Sequence, residues 1–259
     1  MRHIAAAGWR WVHWCHQWDS DFLYGPHELA QIERWLAEFG LRVLDIHGSA
    51  GQEKSWGSPQ EYERLAGVDL VINRVEMASR LGCGVVIMHA PDIPADPAAG
   101  TAAWDRFRRS LDEVEPHCRR RGVRLALENM PRDNFDTLGR VLACYGPDFV
   151  GICYDSGHGQ IAGNGLDRLE AISSRLIATH LNDNDGKGDI HQPLFAGKVD
   201  WPRLASILGT SGYDRQTMTV EAVIKDSGID DDAAFLRATL DGARRFAAMA
   251  GLAQTPRAV

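Results

Sequence analysis

A TIM-type (β/α) barrel with seven recognisable strands is the fold class this chain predicts, and three observations predict it. Short apolar runs alternate with amphipathic helical patterns along nearly the whole length. Several of those runs are almost uninterrupted hydrophobics, as strands buried on both faces of a parallel sheet must be. The 259 residues, 44% hydrophobic and 24% charged, have the size and mix of one such barrel. The same composition excludes disorder, collagen and coiled coil as whole-chain readings, and residues 1–259 read as one domain.

The elements follow in order. A helix-like piece, 2–8, precedes the first apolar run, 9–15. Residues 27–40 place Leu29, Ile32, Leu36 and Phe39 at helical spacing and end on a glycine, and the next strand run is 41–47. Helical patterns at 68–82 and 103–122 enclose the strand run 84–89. Strand runs at 123–129, 150–155 and 176–181 come next. The longest irregular stretch, 182–199, is rich in Gly, Asp and Asn and reads as a functional loop. A helical pattern at 200–212, a strand run at 218–223 and a helical pattern at 233–251 complete the chain. No glycine-rich nucleotide motif follows a strand, so a nucleotide-binding sheet has no support.

Several classes fall away on simple grounds. No apolar run approaches the roughly 20 residues needed to cross a bilayer, and the N-terminus lacks the pattern of a signal peptide. Five cysteines, Cys15, Cys83, Cys118, Cys144 and Cys153, are widely spaced with no C-x-x-C, which predicts reduced thiols in a cytoplasmic protein. Lys+Arg 28 against Asp+Glu 35 gives net charge -7, which counts against a nonspecific nucleic-acid binder.

The informative signal is what stands at the strand ends. Six successive apolar runs end in, or lead into, metal-type side chains: His47, His89, Glu128, Asp155 with His158, His180, and Glu221. The irregular loop adds Asp189 and His191. In a barrel the C-terminal strand ends converge on one mouth. Glu128 and Glu221 stand within apolar stretches, LALENM and TVEA, and a buried carboxylate costs several kcal/mol unless paired or bound to a cation. Histidine with Asp and Glu suits Zn or Mn.

The segments LALENMP, CYDSGHG, THLNDNDGKGDIHQPLFAGKVDW and TVEA resemble the xylose-isomerase-like TIM barrels, the superfamily of the sugar phosphate isomerases/epimerases and the endonuclease IV type nucleases. The resemblance runs from about residue 5 to about 250. In the one-metal epimerases a Glu, Asp, His and Glu on four strands hold a divalent ion. Carried over by motif, these are Glu128, Asp155, His180 and Glu221. The nuclease branch adds further ligands, here His47, His89, His158, Asp189 and His191, so the resemblance implies one to three Zn or Mn ions.

The resemblance implies a metal-dependent sugar or sugar phosphate isomerase/epimerase. A divalent ion chelates a carbonyl and its adjacent hydroxyl, Glu128 and Glu221 act as the acid/base pair, and His158 orients the substrate. The alternative is zinc-dependent apurinic-site phosphodiester cleavage. Against it stand the acidic charge and Gly48-Ser49-Ala50-Gly51, where the nuclease branch is expected to carry bulky DNA-penetrating side chains.

Around this set, Trp14, His16 and Lys198 are candidate substrate contacts, while His13 reads as structural. Trp9, Trp11, Trp14 and Trp18 make a Trp-rich edge that is a candidate dimer surface. Arg119–Arg121 and Asp230–Asp232 read as charges matched to helix ends, and His3, His27 and His117 receive no role. The strand count is one short of eight. We therefore expect a gap or distorted closure where a first strand belongs, arising from start-site choice or natural and covered by a partner.

Overall fold

The computed structural model describes residues 1–211, 213 and 218–252. Its sheet has seven parallel strands in sequence order: β1 (Trp11–Trp14), β2 (Arg42–His47), β3 (Val85–His89), β4 (Arg124–Glu128), β5 (Val150–Asp155), β6 (Leu176–Leu181) and β7 (Thr219–Val220). Each strand pairs with the next, and no ladder joins β7 to β1 among the described residues. The barrel is nearly closed, with a seam between its first and last strands. Residues 2–6 form a helix, so the expected seven strands and the seam are what the described residues contain.

The helices are α1 (Arg2–Ala6), α2 (Pro26–Phe39), α3 (Glu61–Leu81), α4 (Pro97–Arg121), α5 (Phe135–Cys144), α6 (Ser156–Ala162), α7 (Gly165–Ile172), α8 (Trp201–Thr210) and α9 (Asp232–Met249). Their starts are chemically marked. Glu28 accepts a hydrogen bond from the Gly25 N–H at the head of α2, and Asp96 and Asp231 accept from Ala99 and Ala234 at the heads of α4 and α9. Arg119, Arg120 and Arg121 close α4, where positive charge meets the exposed carbonyls. The last residue of the helical pattern 200–212 lies outside the described residues.

α5, α6 and α7 have no counterpart in the sequence reading. α6, SGHGQIA, carries two glycines and no apolar stripe, so its register comes from its surroundings. No helix among the described residues is long and apolar enough to cross a membrane.

Two hydrophobic layers result. The larger core lies between the strands and the surrounding helices. A smaller plug of Ile87, Ala126, Cys153 and Ala178 fills the barrel interior. Side chains alternate faces along a strand, so the residue two further on points into the same interior. Those residues are His89, Glu128, Asp155 and His180. The apolar plug is the floor on which the polar mouth stands.

Candidate metal centre

Glu128, at the end of β4, is the hub. It is buried, and its two carboxylate oxygens face different partners. Oε1 lies 2.8 Å from His180 Nδ1, while Oε2 lies 3.2 Å from His89 Nε2 and 3.7 Å from His47 Nε2. His180 Nδ1 is also 3.1 Å from Glu221 Oε2, just beyond β7. In the loop, Asp189 Oδ1 stands 3.3 Å from His158 Nε2 and 3.2 Å from His191 Nε2.

Ligand atoms within 4.8 Å of one another form four sets: Glu128, Asp155, His180 and Glu221; His47, His89 and Glu128; His158, Asp189 and His191; and His13, His180 and Glu221. All nine residues singled out as metal-type donors come together at one mouth, although His180 and Glu128, 2.8 Å apart, are separated by 52 positions in sequence.

The scaffold explains the motif spelling. Asp155 caps α6 by accepting a hydrogen bond from the His158 N–H, and the Asn182 amide donates to its other oxygen. Ser156 donates to the Asn182 carbonyl and accepts from its N–H. Any side chain at Gly157 would put its Cβ 2.0 Å from Asn182 Oδ1, so only glycine admits this contact. The loop is pinned likewise. Asp183 accepts from the Val199 N–H and the Trp201 indole, and a Cβ at Gly197 would lie 2.2 Å from the Asn184 carbonyl.

Three of the histidines are oriented by one device. The Nδ1 of His47, His158 and His191 donates to the backbone carbonyls of Gly48, Asn129 and Glu221. That leaves each Nε2 as a bare acceptor turned toward a carboxylate. An acceptor opposed to an acceptor is unfavourable unless a proton or a metal ion lies between them.

The electrostatics make the same demand. Burial works against the charged forms of His158 and His191, yet Asp155 raises His158 to about 10 and the Asp189 hydrogen bond raises His191 to about 9. Burial raises Asp155 to about 6. Burial pushes His47 down to about 3, toward the neutral form that a ligand requires. Burial also opposes ionisation of Glu221, but His180 outweighs it and holds the carboxyl at about 2. Among the described residues, no Lys or Arg ion-pairs with Glu128, Asp155, Asp189 or Glu221. His180 Nε2 is buried without a partner. Carboxylates countered only by imidazoles, with unpartnered ring nitrogens among them, fit divalent cations.

The candidate substrate contacts are more scattered. Trp14 Nε1 donates to the Tyr24 hydroxyl, and His16 Nδ1 lies 2.9 Å from that same oxygen, so both belong to a network around Tyr24. Lys198 is exposed on the loop. The aromatic that stands against the donors is Trp18, with ring centroids 5.0 Å from His47 and 5.6 Å from His89.

Two residues at the mouth had no place in the sequence reading as functional groups, His13 and Asp45. His13 Nδ1 lies 2.6 Å from Asp45 Oδ1, and its ring centroid is 4.8 Å from that of His180. The signal that would have found Asp45 is strand alternation, since it lies two residues before His47. His13 needed knowledge of which strand β1 faces.

Residues 1–239 match the family described as xylose isomerase-like TIM barrel. A Sinorhizobium fredii protein of uncharacterised function, y4fM, is 32% identical over 237 residues, covering 81% of this chain and 76% of that protein. A probable endonuclease 4 of Mycobacterium ulcerans is 30% identical over 220 residues, covering 79% of this chain and 82% of the endonuclease. Among solved structures, a D-tagatose 3-epimerase-like protein superposes with a TM-score of 0.78 at 19% identity, covering 97% of this chain and 93% of that one. The strand order, the match over most of the length and the identity to these relatives agree, and the chain belongs to the xylose isomerase-like TIM barrel family.

Proposed function

We propose that the protein is a divalent-metal-dependent isomerase or epimerase of a small sugar or sugar phosphate. The observation that carries this reading is the pair Glu128 and Glu221, which approach His180 Nδ1 from two strand ends at 2.8 and 3.1 Å. Glu128, Asp155, His180 and Glu221 would hold the central ion, of the Zn or Mn type. Bound there, the ion supplies Lewis-acid polarisation of a substrate carbonyl.

The remaining steps belong to the chain. Glu221 is a quarter exposed toward the mouth and takes the proton from the carbon beside that carbonyl. Glu128, buried among histidines, is the partner that returns a proton. His158 is oriented by the Asn129 carbonyl and holds a substrate hydroxyl. Trp18 offers an aromatic face beside His47 and His89 for the sugar's C–H face. The loop after β2 favours a small substrate over duplex DNA. Ser49 donates to the Ser20 carbonyl and Gly51 is packed against Asp21 and Lys54, so Gly48-Ser49-Ala50-Gly51 offers only small side chains.

A second reading, phosphodiester cleavage, is favoured by one specific observation. Glu128 turns its two oxygens to two histidine sets, as a carboxylate shared by two ions would. It draws further support from the identity to the endonuclease 4 relative.

One experiment separates the two. The metal-loaded protein is incubated in deuterated water with a panel of keto sugars and their phosphates, and in parallel with an abasic-site duplex. Deuterium at the carbon beside the carbonyl, lost by roughly 100-fold or more in Glu221→Gln, is expected. Strand scission without any exchange, abolished by His89→Ala, would replace the first reading with the second.

A further inference from the structure

His13 repeats the orienting device of the other histidines, with a stronger acceptor. Its Nδ1 lies 2.6 Å from Asp45 Oδ1, so the ring is held in the tautomer that leaves Nε2 bare. That Nε2 is buried and has no hydrogen-bond partner, and the side chain is only 9% exposed. An unpaired acceptor in so buried a place is costly unless something is bound to it. A ring nitrogen of His13 lies within 4.8 Å of donor atoms of His180 and Glu221, two of the four central donors, and its ring centroid is 4.8 Å from that of His180.

The placement of Asp45 is equally specific. Its second oxygen accepts a 2.7 Å hydrogen bond from the Thr219 hydroxyl. Asp45 is on β2, His13 on β1 and Thr219 on β7, so one buried carboxylate ties together both strands that border the open seam. Where a closed barrel would have a strand, this chain has a polar clamp whose free end is an imidazole nitrogen beside the metal donors.

We infer that His13 is a fifth protein donor to the central cation, presented by Asp45 and anchored across the seam by Thr219. The inference rests on the reading of Glu128, Asp155, His180 and Glu221 as a cation site, and it assigns to the missing-strand position a role in the centre itself. The rival explanation is that His13, Asp45 and Thr219 only close the barrel. The two differ in what metal binding reports. A clamp affects the stability of the metal-free protein, whereas a donor affects affinity and the ligand field.

The test uses the full chain, stripped with chelator and titrated with Zn(II) under competition, and with Co(II) for its visible spectrum. His13→Asn keeps an N–H at the Nδ1 position for Asp45 and removes the imidazole. His13→Ala removes both, and Thr219→Val cuts the clamp while leaving the ring. We expect His13→Asn to bind the tightest ion about 10- to 100-fold more weakly, with an altered Co(II) band and an unchanged metal-free melting temperature. Thr219→Val should lower the metal-free melting temperature and weaken the ion less than His13→Asn does.

Wild-type affinity and an unaltered Co(II) spectrum in both His13 variants would overturn the inference while leaving the central site standing. No tight binding by the wild-type chain would overturn both.

Discussion

Glu128 is the residue on which most of the mouth depends. It is buried, no Lys or Arg pairs with it among the described residues, and His47, His89, His158 and His180 all stand within 3.7 Å of its oxygens. A carboxylate so placed is stabilised by positive charge or not at all. Glu128→Gln keeps the shape and removes the charge. We expect metal content to fall by about tenfold or more, as loss of an anionic donor implies, with the far-ultraviolet spectrum retained. Metal analysis beside circular dichroism reads both, and full metal content in the variant would show that Glu128 is not a ligand. This residue was legible in the sequence because a Glu inside LALENM has no other good reason to be there. His13 was not, because its meaning lies in the bare Nε2 and in Asp45, 32 positions away.

At the scale of elements, the loop between β6 and α8 carries Asp189 and His191, and its shape is held by close contacts. Gly197 is the test position. An added methyl would sit 2.2 Å from the Asn184 carbonyl and 2.5 Å from Asp183 Oδ1, neither of which can give way cheaply. Gly197→Ala should destabilise by about 1–3 kcal/mol, the usual cost of overpacking, measured by urea denaturation. It should also lower the metal-to-protein ratio by displacing the His158, Asp189 and His191 set. An unchanged ratio would show that this set holds no ion. The strands were legible to within three residues because buried parallel strands advertise themselves as apolar runs. α5, α6 and α7 were not, since they are short, and α6 begins on Asp155, whose capping role shows only once β5 and the loop are in place.

For the whole molecule, the metal-free centre is held together by protons. His158 and His191 bind theirs up to about 10 and about 9, because nearby carboxylates overcome burial, against an ordinary value of 6.5. Raised folded-state values mean that this stabilisation is fully present below 6.5 and is lost as pH rises through 9 to 10. A divalent ion needs the same nitrogens deprotonated, so its binding strengthens over that range. The rise in melting temperature on adding Zn(II) should therefore grow from about pH 6 to about pH 9. At the acid end, protonation of Asp155 near 6 weakens binding further. Calorimetry across this range, with and without Zn(II), measures the difference, and a constant increment would show that protons and the ion do not compete.

The sequence by itself determined the strand–helix alternation, the count of seven strands found among the described residues, and the row of metal-type side chains at successive strand ends. All of these are local: apolar runs, helical spacing and a period of two are written within a few residues of one another. Tertiary structure alone decided which oxygen of Glu128 meets which histidine, that Trp18 rather than Trp14 stands beside the donors, and that His13 stands beside His180 and Glu221 with one ring nitrogen unpartnered. Those facts depend on how strands far apart in the chain wrap around a common axis. The open seam shows the difference. Its existence follows from counting strands, but the Asp45 clamp that spans it exists only once β7 has come round to meet β1.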